Sequence, residues 1–286
     1  MSRSGRKLTV ATCQFPVSPD VRRNARHVRR LIAEAKTCRA HVAHFSECAL
    51  SGYGGAEIPH WRGYDWGLLR RETESVLELA RRRRIWVVLG SSHRLSGRRR
   101  PHNALYVIDD TGRIVDRYDK RFCTSGDLRH YAPGDHFAAF TVRGVRCGLL
   151  ICYDVRFPEL YRRYGRMGVE CIFQSFHNRR DLPGPSIHTT IMRPTLQARA
   201  ASNYLWISAT NTSRRYQSWP SVFVRPDGVI AASCRRHRTG MVVQTVEADA
   251  MLYDAAGAAN RRRAARGVLH TGRPVEDPRS SDRKSL

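Results

Sequence analysis

The amino-acid sequence predicts an α/β layered domain. Short apolar runs rich in β-branched residues alternate with longer amphipathic stretches along the chain. Turn residues such as 226–228 (Pro-Asp-Gly) join some of these runs directly, which is typical of hairpins. No repeat or low-complexity linker interrupts residues 8–250, so most of the 286 residues are predicted to form one domain.

The first half of the chain is predicted to fold from strands that surround two helices. Residues 8–13 (LTVATC) have the composition of a strand, and Asp20 is a candidate N-cap for a helix that ends near Lys36. The second helix is predicted at residues 66–83, where apolar residues recur at helical spacing. The other predicted strands are 41–45, 85–93, 103–108 and 113–118, the last two joined by the turn residues 109–112.

The second half continues the alternation. Residues 145–152 (VRCGLLIC) have the continuous apolar character of a buried strand. Pro158 follows at a position that the first turn of a helix tolerates. A strand at 169–175, a helix at about 187–202, a strand at 204–210 and a hairpin around 226–228 are predicted next.

The composition changes near residue 255, where Arg, Ala, Gly, Pro and Ser become frequent. We therefore predict a domain over residues 1–254 and an extended C-terminal arm over 255–286, with disorder after about Pro274.

Neither a membrane span nor a secretory signal is predicted. A membrane helix needs about 18 or more apolar residues. The longest apolar runs, Leu149–Cys152 and Ile85–Leu89, are far shorter. The N-terminal residues lack the apolar segment of a signal peptide. A cytoplasmic protein is therefore expected.

The eight cysteines are too sparse for a disulfide scaffold, and reduced thiols are expected. Cys147 and Cys152 have no second pair or His group at zinc spacing, so no structural metal is predicted. The sequence also lacks the motifs of phosphate-loop ATPases, zincins, serine esterases and dinucleotide-binding oxidoreductases.

The formal net charge of +25 raises the question of nucleic-acid binding, because basic residues neutralise phosphates. The basic residues are nevertheless scattered along the chain. The densest runs, 81–84, 98–100 and 261–263, contain no interleaved aromatic residues, which favours solvated faces. No specific nucleic-acid partner is predicted, and the charge alone indicates non-specific adhesion and solubility.

Three chemically reactive residue types each follow a predicted strand. Glu47 follows 41–45, Lys120 follows 113–118, and Cys152 ends 145–152. Since sites gather at the carboxyl ends of strands in layered α/β folds, these side chains could converge. Taken singly, a Glu or Lys here would be a solvated loop residue and a Cys a core residue.

The segments around these residues resemble the three signature segments of the nitrilase superfamily of carbon–nitrogen hydrolases. They are HFSECALSGY, RYDKRF and GLLICYDVRFPEL. The resemblance covers almost the whole chain, because CQFPVSPDVRRN, HYAPGDHF, LQARAASN, RPDGVI and GVLHTG are similar to further family segments in the same order.

The resemblance implies a four-layer αββα sandwich and a Glu47–Lys120–Cys152 catalytic triad without metal or organic cofactor. It also implies a homodimer or larger homo-oligomer, in which part of the arm, residues 255–272, is expected to contact the second subunit.

The residue types support these roles. A thiol has a pKa of about 8.5 and needs a base or a cation to become a thiolate at neutral pH. Glu47 is the candidate general base. Lys120 and the backbone N–H of Tyr153 are candidates for stabilising the oxyanion that forms when Cys152 attacks an amide.

The family often carries a second carboxylate, a Glu six residues before a Pro-Gly. The corresponding residue is Asp127, since Pro-Gly stands at 133–134. Its side chain is one methylene shorter, so a contact with Lys120 is not assured. We treat Asp127 as an auxiliary catalytic residue, with a solvated turn residue as the alternative.

Further residues are predicted around the site. Tyr53, His177 and Asn178 resemble substrate-pocket positions of the family, and a structural role is the alternative for His177. The charged residues Asp154, Arg156 and Glu159 are predicted to pair with one another beside Cys152, because partly buried charges need partners.

The sequence therefore predicts an amidase-type carbon–nitrogen hydrolase acting on a small linear amide, ω-amide or N-carbamoyl compound, with release of ammonia or an amine. The amide-cleaving branch is favoured over nitrile hydrolysis because CYDVRFPEL is more similar to it. Acyl transfer from the same thioester is one alternative. A non-catalytic binding protein that uses the Arg-rich surface is another.

Overall fold

Two six-stranded β-sheets lie face to face at the centre of the structure, a computed structural model that describes residues 5–184 and 186–284. The strands are β1 (Lys7–Gln14), β2 (Val42–His44), β3 (Trp86–His93), β4 (His102–Ile108), β5 (Ile114–Asp119), β6 (Ala139–Val142), β7 (Val145–Ile151), β8 (Cys171–Ser175), β9 (Trp206–Thr210), β10 (Val222–Val224), β11 (Ile230–Ser233) and β12 (Gly240–Glu247). The helices are α1 (Val21–Thr37), α2 (Trp66–Arg83), α3 (Pro158–Arg166), α4 (Ile187–Asn203), α5 (Ala258–Ala265) and α6 (Pro278–Ser281).

The strand order is β12-β1-β2-β3-β4-β5 in the first sheet and β11-β10-β9-β8-β7-β6 in the second. Both sheets are mixed. Strands β1–β2–β3 and β7–β8–β9 are parallel, and the other neighbouring strands are antiparallel. This α/β sandwich confirms the predicted fold class.

The alternation of side chains along each strand explains the layers. In β1, Leu8 and Val10 belong to the core that includes both sheets, whereas Ala11 and Cys13 belong to the core beneath α1 and α2. The helices α3 and α4 cover the second sheet through residues such as Leu196. Four layers result, each burying one apolar face against the next.

The helix ends follow local signals. Asp20 is the N-cap of α1, as predicted, and its carboxylate accepts a hydrogen bond from the backbone N–H of Arg23 at 3.1 Å. Asp65 caps α2 in the same way through the N–H of Leu68 at 2.8 Å. Among the described residues, none of the helices combines the length and the apolar character that crossing a membrane requires.

A buried polar network joins the two sheets near their centre. The ring of His44 in β2 is hydrogen bonded through Nδ1 to Ser208 at 2.8 Å and through Nε2 to Ser175 at 2.9 Å. Because the Ser175 hydroxyl donates to the carbonyl oxygen of Phe45, it must accept from Nε2–H. The network therefore selects the neutral tautomer with the proton on Nε2, and burial lowers the pKa of His44 to about 3.

This depressed pKa predicts acid sensitivity. Below its usual pKa of about 6.5 the unfolded chain binds a proton at His44 that the folded protein excludes, so stability is lost as the pH falls from about 6.5 toward 3. The expected slope from this group is about 1.4 kcal/mol per pH unit. Urea unfolding between pH 7.5 and 5 of wild type and of His44→Gln, which retains a donor toward Ser175, measures it. Equal slopes in the two proteins would contradict the prediction.

Candidate active site

The structure brings Glu47, Lys120 and Cys152 to one edge of the sandwich. Glu47 follows β2 and Lys120 follows β5, and these strands run in the same direction in the first sheet. Cys152 directly follows β7 in the second sheet. Glu47 and Lys120 are fully buried, and Cys152 is partly exposed. The turn at Glu47 packs closely on β3, where a Cβ at Gly90 would overlap the carbonyl oxygen of Ser46.

Lys120 lies between two carboxylates. Its Nζ is 2.8 Å from Oε1 of Glu47 and 2.9 Å from Oδ2 of Asp127. Burial alone would lower the pKa of Lys120, but the negative charges around it hold that pKa well above its usual value. The ammonium is therefore permanently charged at neutral pH.

Asp127 contacts Lys120 although its side chain is one methylene shorter than that of Glu. It begins a short 3-10 turn, Asp127–Arg129, and the backbone N–H of Thr124 donates to Oδ2 at 2.9 Å. The hydroxyl of Tyr53 donates to Oδ1. Burial raises the pKa of Asp127, but Lys120 and these hydrogen bonds outweigh burial and lower it below its usual value.

Glu47 has one satisfied carboxylate oxygen and one free oxygen. Oε1 accepts hydrogen bonds from Lys120 Nζ and, at 2.7 Å, from Nδ2 of Asn103. Oε2 is buried and has no hydrogen-bond partner among the described residues. A buried carboxylate oxygen without a partner is costly, so Oε2 is a ready acceptor for a proton from a thiol, a substrate or water.

Cys152 sits on a sharp corner between β7 and a 3-10 turn, Cys152–Arg156, and has a positive φ of 43°. Burial raises the pKa of its thiol well above the usual value, and Glu47 raises it further, although Lys120 acts in the opposite direction. The thiol is therefore protonated at neutral pH and depends on a base for activation.

A backbone hydrogen-bond donor lies directly after the thiol. The N–H of Tyr153 is in the first turn of the 3-10 helix, where backbone N–H groups have no acceptor within the helix. The side chain of Tyr153 is exposed.

The residues predicted for the substrate pocket also gather here. Nδ2 of Asn178 donates to Sγ of Cys152 at 3.4 Å, and Nε1 of Trp219 donates to Oδ1 of Asn178 at 3.1 Å. Since an indole N–H can only donate, it fixes which end of the amide faces the sulfur. The rings of Tyr53 and His177 are stacked with their centroids 4.8 Å apart.

The predicted ion-pair cluster beside Cys152 is wrong. Asp154 accepts hydrogen bonds from the Tyr118 hydroxyl at 2.8 Å and from the backbone N–H groups of Ile151 and Phe122. Arg156 instead contacts the sulfur of Met192, and Glu159 is exposed. Local backbone donors satisfy Asp154, so it needs no cation. Burial raises its pKa to about 6, although the hydrogen bonds from those backbone groups oppose the shift.

Residues of the site that were missed from the sequence include Trp219, Asn103 and Glu57. Asn103 in β4 is a fully buried amide within an apolar strand, which is the signal that could have identified it. Glu57 lies in a glycine-rich loop that gave no such signal. Its buried carboxylate is 3.1 Å from Nε2 of His177, 3.1 Å from Nε of Arg179 and 2.8 Å from a terminal nitrogen of Arg214.

Glu57 is expected to stabilise this side of the site. Burial raises its pKa, but the neighbouring His177, Arg179 and Arg214 outweigh burial and lower it to about 2. The stabilisation is present above its unfolded pKa of about 4.3 and is lost as the pH falls toward 2. We expect Glu57→Gln to lower the free energy of unfolding at pH 7 by on the order of 3 kcal/mol.

Denaturant unfolding at pH 7 and pH 3 checks this prediction, with Glu78→Gln as a control. Glu78 pairs with Arg81 and Arg82 on an exposed helix face, so little effect is expected there. A Glu57→Gln effect no larger than that of the control would contradict the stabilising role.

The assembled groups form a site for nucleophilic chemistry on a carbonyl carbon. They comprise a thiol, a carboxylate with a free oxygen, a buried ammonium and a backbone N–H in the first turn of a 3-10 helix. In residues 5–184 and 186–284, no group of three or more His, Cys, Asp and Glu side chains is arranged to hold a metal ion.

Known proteins are similar to this chain in sequence and in fold. A (R)-stereoselective amidase from Pseudomonas sp is 33% identical over 168 residues, a match that covers 58% of this chain and only 57% of that enzyme. Omega-amidase NIT2 from Xenopus tropicalis is 27% identical over 82% of this chain and 86% of that protein.

A solved mutant of the Nesterenkonia AN1 amidase from the nitrilase superfamily has the same fold. The TM-score is 0.78 at 20% identity, covering 94% of this chain and 97% of that one. The family model for carbon-nitrogen hydrolases matches residues 9–254. The chain therefore belongs to the carbon-nitrogen hydrolase family.

Proposed function

We propose that this protein hydrolyses the non-peptide C–N bond of a small linear amide, ω-amide or N-carbamoyl compound through a thioester on Cys152. The observation that carries the proposal is the buried Glu47–Lys120 pair, whose one free carboxylate oxygen is the base that a protonated Cys152 requires. The amidase names of the relatives support an amide rather than a nitrile substrate. The proposed reaction uses no metal or organic cofactor.

In the acylation step, Oε2 of Glu47 accepts the thiol proton while the sulfur attacks the amide carbon. The negative charge moves to the carbonyl oxygen, where the ammonium of Lys120 and the N–H of Tyr153 stabilise it. The C–N bond then breaks, and Glu47 returns the proton to the departing nitrogen. Ammonia or an amine leaves, and the acyl group stays on sulfur.

In the deacylation step, Glu47 removes a proton from water as the water oxygen attacks the thioester. The C–S bond breaks, the acid is released, and the thiol is restored with the proton from Glu47. Asp127 is proposed to act as an auxiliary residue by keeping Lys120 charged and positioned. Tyr53, His177 and Asn178 are proposed to form the wall that the acyl group contacts.

The first test is ammonia release from a panel of ω-amides, N-carbamoyl amino acids, aliphatic amides and nitriles. Release from amide or carbamoyl members, with an acyl adduct on the Cys152 peptide by mass spectrometry, is expected. Release from nitriles alone would overturn the amidase assignment. A folded protein that releases neither ammonia nor an amine from any member would favour the non-catalytic alternative, binding through the Arg-rich surface.

Acyl transfer is the second candidate, because the same thioester can be intercepted by an acceptor other than water. Adding hydroxylamine to the reaction distinguishes the two. If water is the natural acceptor, the acid is the only acyl product without hydroxylamine. An amide consumed only when an amine or hydroxylamine is present would instead identify a transferase.

We also propose a cytoplasmic homodimer or larger homo-oligomer without a specific nucleic-acid or membrane partner. Residues 255–272 of the arm are proposed to contact the second subunit. Helix α5 in this segment has no buried residue in the single chain, which supports this role. Light scattering at micromolar concentration of the full chain and of a chain ending at residue 254 is the test. A full-length monomer would contradict it.

A further inference from the structure

A cavity of about 690 Å³ lies between the segment before α2 and the connection from β3 to β4. Two tryptophans, Trp61 and Trp66, form part of its wall. Five arginines line it as well, at positions 62, 94 and 98–100, and no carboxylate is among the lining residues. The run 98–100 is exposed, in agreement with the expected solvated face, and the fold places the two tryptophans beside it although it lacks aromatic neighbours in sequence.

The aromatic wall is held in place. Nε1 of Trp61 donates to the carbonyl oxygen of His130 at 2.8 Å, and its ring lies 5.6 Å from that of Tyr131 and 5.2 Å from that of Trp66. Both tryptophans remain partly exposed. The guanidinium of Arg94 lies 5.9 Å from the centroid of the Trp66 ring. A planar ligand would therefore bind to an aromatic surface that is already ordered before binding.

The positive charge at this cavity is not neutralised within the described residues. None of its five arginines forms an ion pair there, and Arg99 only donates to the hydroxyl of Ser96 at 3.2 Å. Other arginine runs differ, since Arg81 and Arg82 pair with Glu78. Guanidinium groups without carboxylate partners favour phosphate, which they bind with two parallel hydrogen bonds.

We propose that this cavity binds a nucleoside triphosphate, with the base stacked on the tryptophan wall and the phosphates on Arg98–Arg100. Its volume lies within the range of small-molecule sites, about 300–1,000 Å³. Stacking between a base and an aromatic side chain tolerates any base. The site therefore selects the class of ligand rather than a particular nucleotide.

Calorimetric titration of the full-length protein tests the proposal with ATP, adenosine and inorganic triphosphate as probes. ATP is expected to bind at least about 10-fold more tightly than either part, because only ATP engages both halves of the cavity. Equal affinities for ATP and for triphosphate would mean that charge alone attracts the ligand, and this result would overturn the proposal. So would tighter binding of a single-stranded oligouridylate than of ATP, since that would identify an RNA surface.

Two triple variants with the same loss of charge locate the site. Replacing Arg98, Arg99 and Arg100 by Ala is expected to weaken ATP binding at least about 10-fold, whereas replacing Arg81, Arg82 and Arg83 by Ala on α2 should change it less than about 3-fold. Equal effects would overturn the proposal. Thermal unfolding confirms that each variant is folded.

The tryptophan wall is tested separately. Trp61→Leu should weaken binding of ATP and leave triphosphate unchanged, and Trp61→Phe should recover most of the loss. If Trp61→Phe and Trp61→Leu both bind ATP like wild type, the stacking half of the proposal is wrong.

Discussion

Replacing Cys152 by Ala is expected to lower amide hydrolysis by about 10⁴-fold or more, because the acyl bond is proposed to form on its sulfur. Asn178 contacts the sulfur, but its amide donates an N–H and is not a nucleophile. The fold should survive, since Ala removes a single sulfur atom and tolerates the backbone as well as Cys does. Residual activity would reflect binding and the oxyanion donors alone.

Single-turnover and steady-state ammonia release by wild type and variant measure this effect. Cys38→Ala is the matched control, because Cys38 is an exposed free thiol at the end of α1 and should leave the rate unchanged. Substantial turnover by the Cys152→Ala protein would show that a different nucleophile, or direct attack by water, carries the reaction.

Replacing Glu47 by Gln is expected to lower kcat/KM by about 10²- to 10⁴-fold, the range typical of a lost general base. The amide oxygen of Gln can still accept the hydrogen bonds from Lys120 and Asn103 that Oε1 accepts now. The substitution therefore removes proton transfer while preserving most of the geometry.

The pH dependence distinguishes this loss from a structural effect. Because burial and nearby charge raise the pKa of the Cys152 thiol, the variant should depend on the small thiolate fraction. Its rate should rise about tenfold per pH unit between pH 7 and 10, whereas wild type should not require alkaline conditions. Glu78→Gln serves as the control on an exposed face. A variant with the wild-type pH profile would mean that Glu47 is not the base.

The sequence was most informative where residue type and strand position agreed. Glu47, Lys120 and Cys152 lie at strand ends on one edge, and short apolar runs such as 145–152 were enough to locate those ends. The helix Trp66–Arg83 was predicted at its observed bounds because its apolar residues recur regularly. Such local patterns depend on few contacts with distant segments, so they can be recognised from the sequence alone.

The unpredicted features depend on contacts between distant segments. Glu57 accepts a hydrogen bond from Arg214, which lies 157 residues away in the sequence. No pattern in the sequence around either residue predicts this pairing. The failed cluster around Asp154 has the opposite cause. Charge proximity in sequence suggested ion pairs, but backbone N–H groups at the corner provided closer donors. Sequence spacing does not reveal which of two possible partners a buried carboxylate will meet.

The left-handed backbone at Cys152 has a consequence for thermal robustness. An L residue with φ near 43° holds local strain of order 1 kcal/mol or more, and only glycine would be free of it. Glycine, however, has no thiol. Replacing Cys152 by Gly would relieve the strain but would remove the thiol that the proposed reaction requires. Substitutions that raise the stability without this loss must therefore lie elsewhere in the chain.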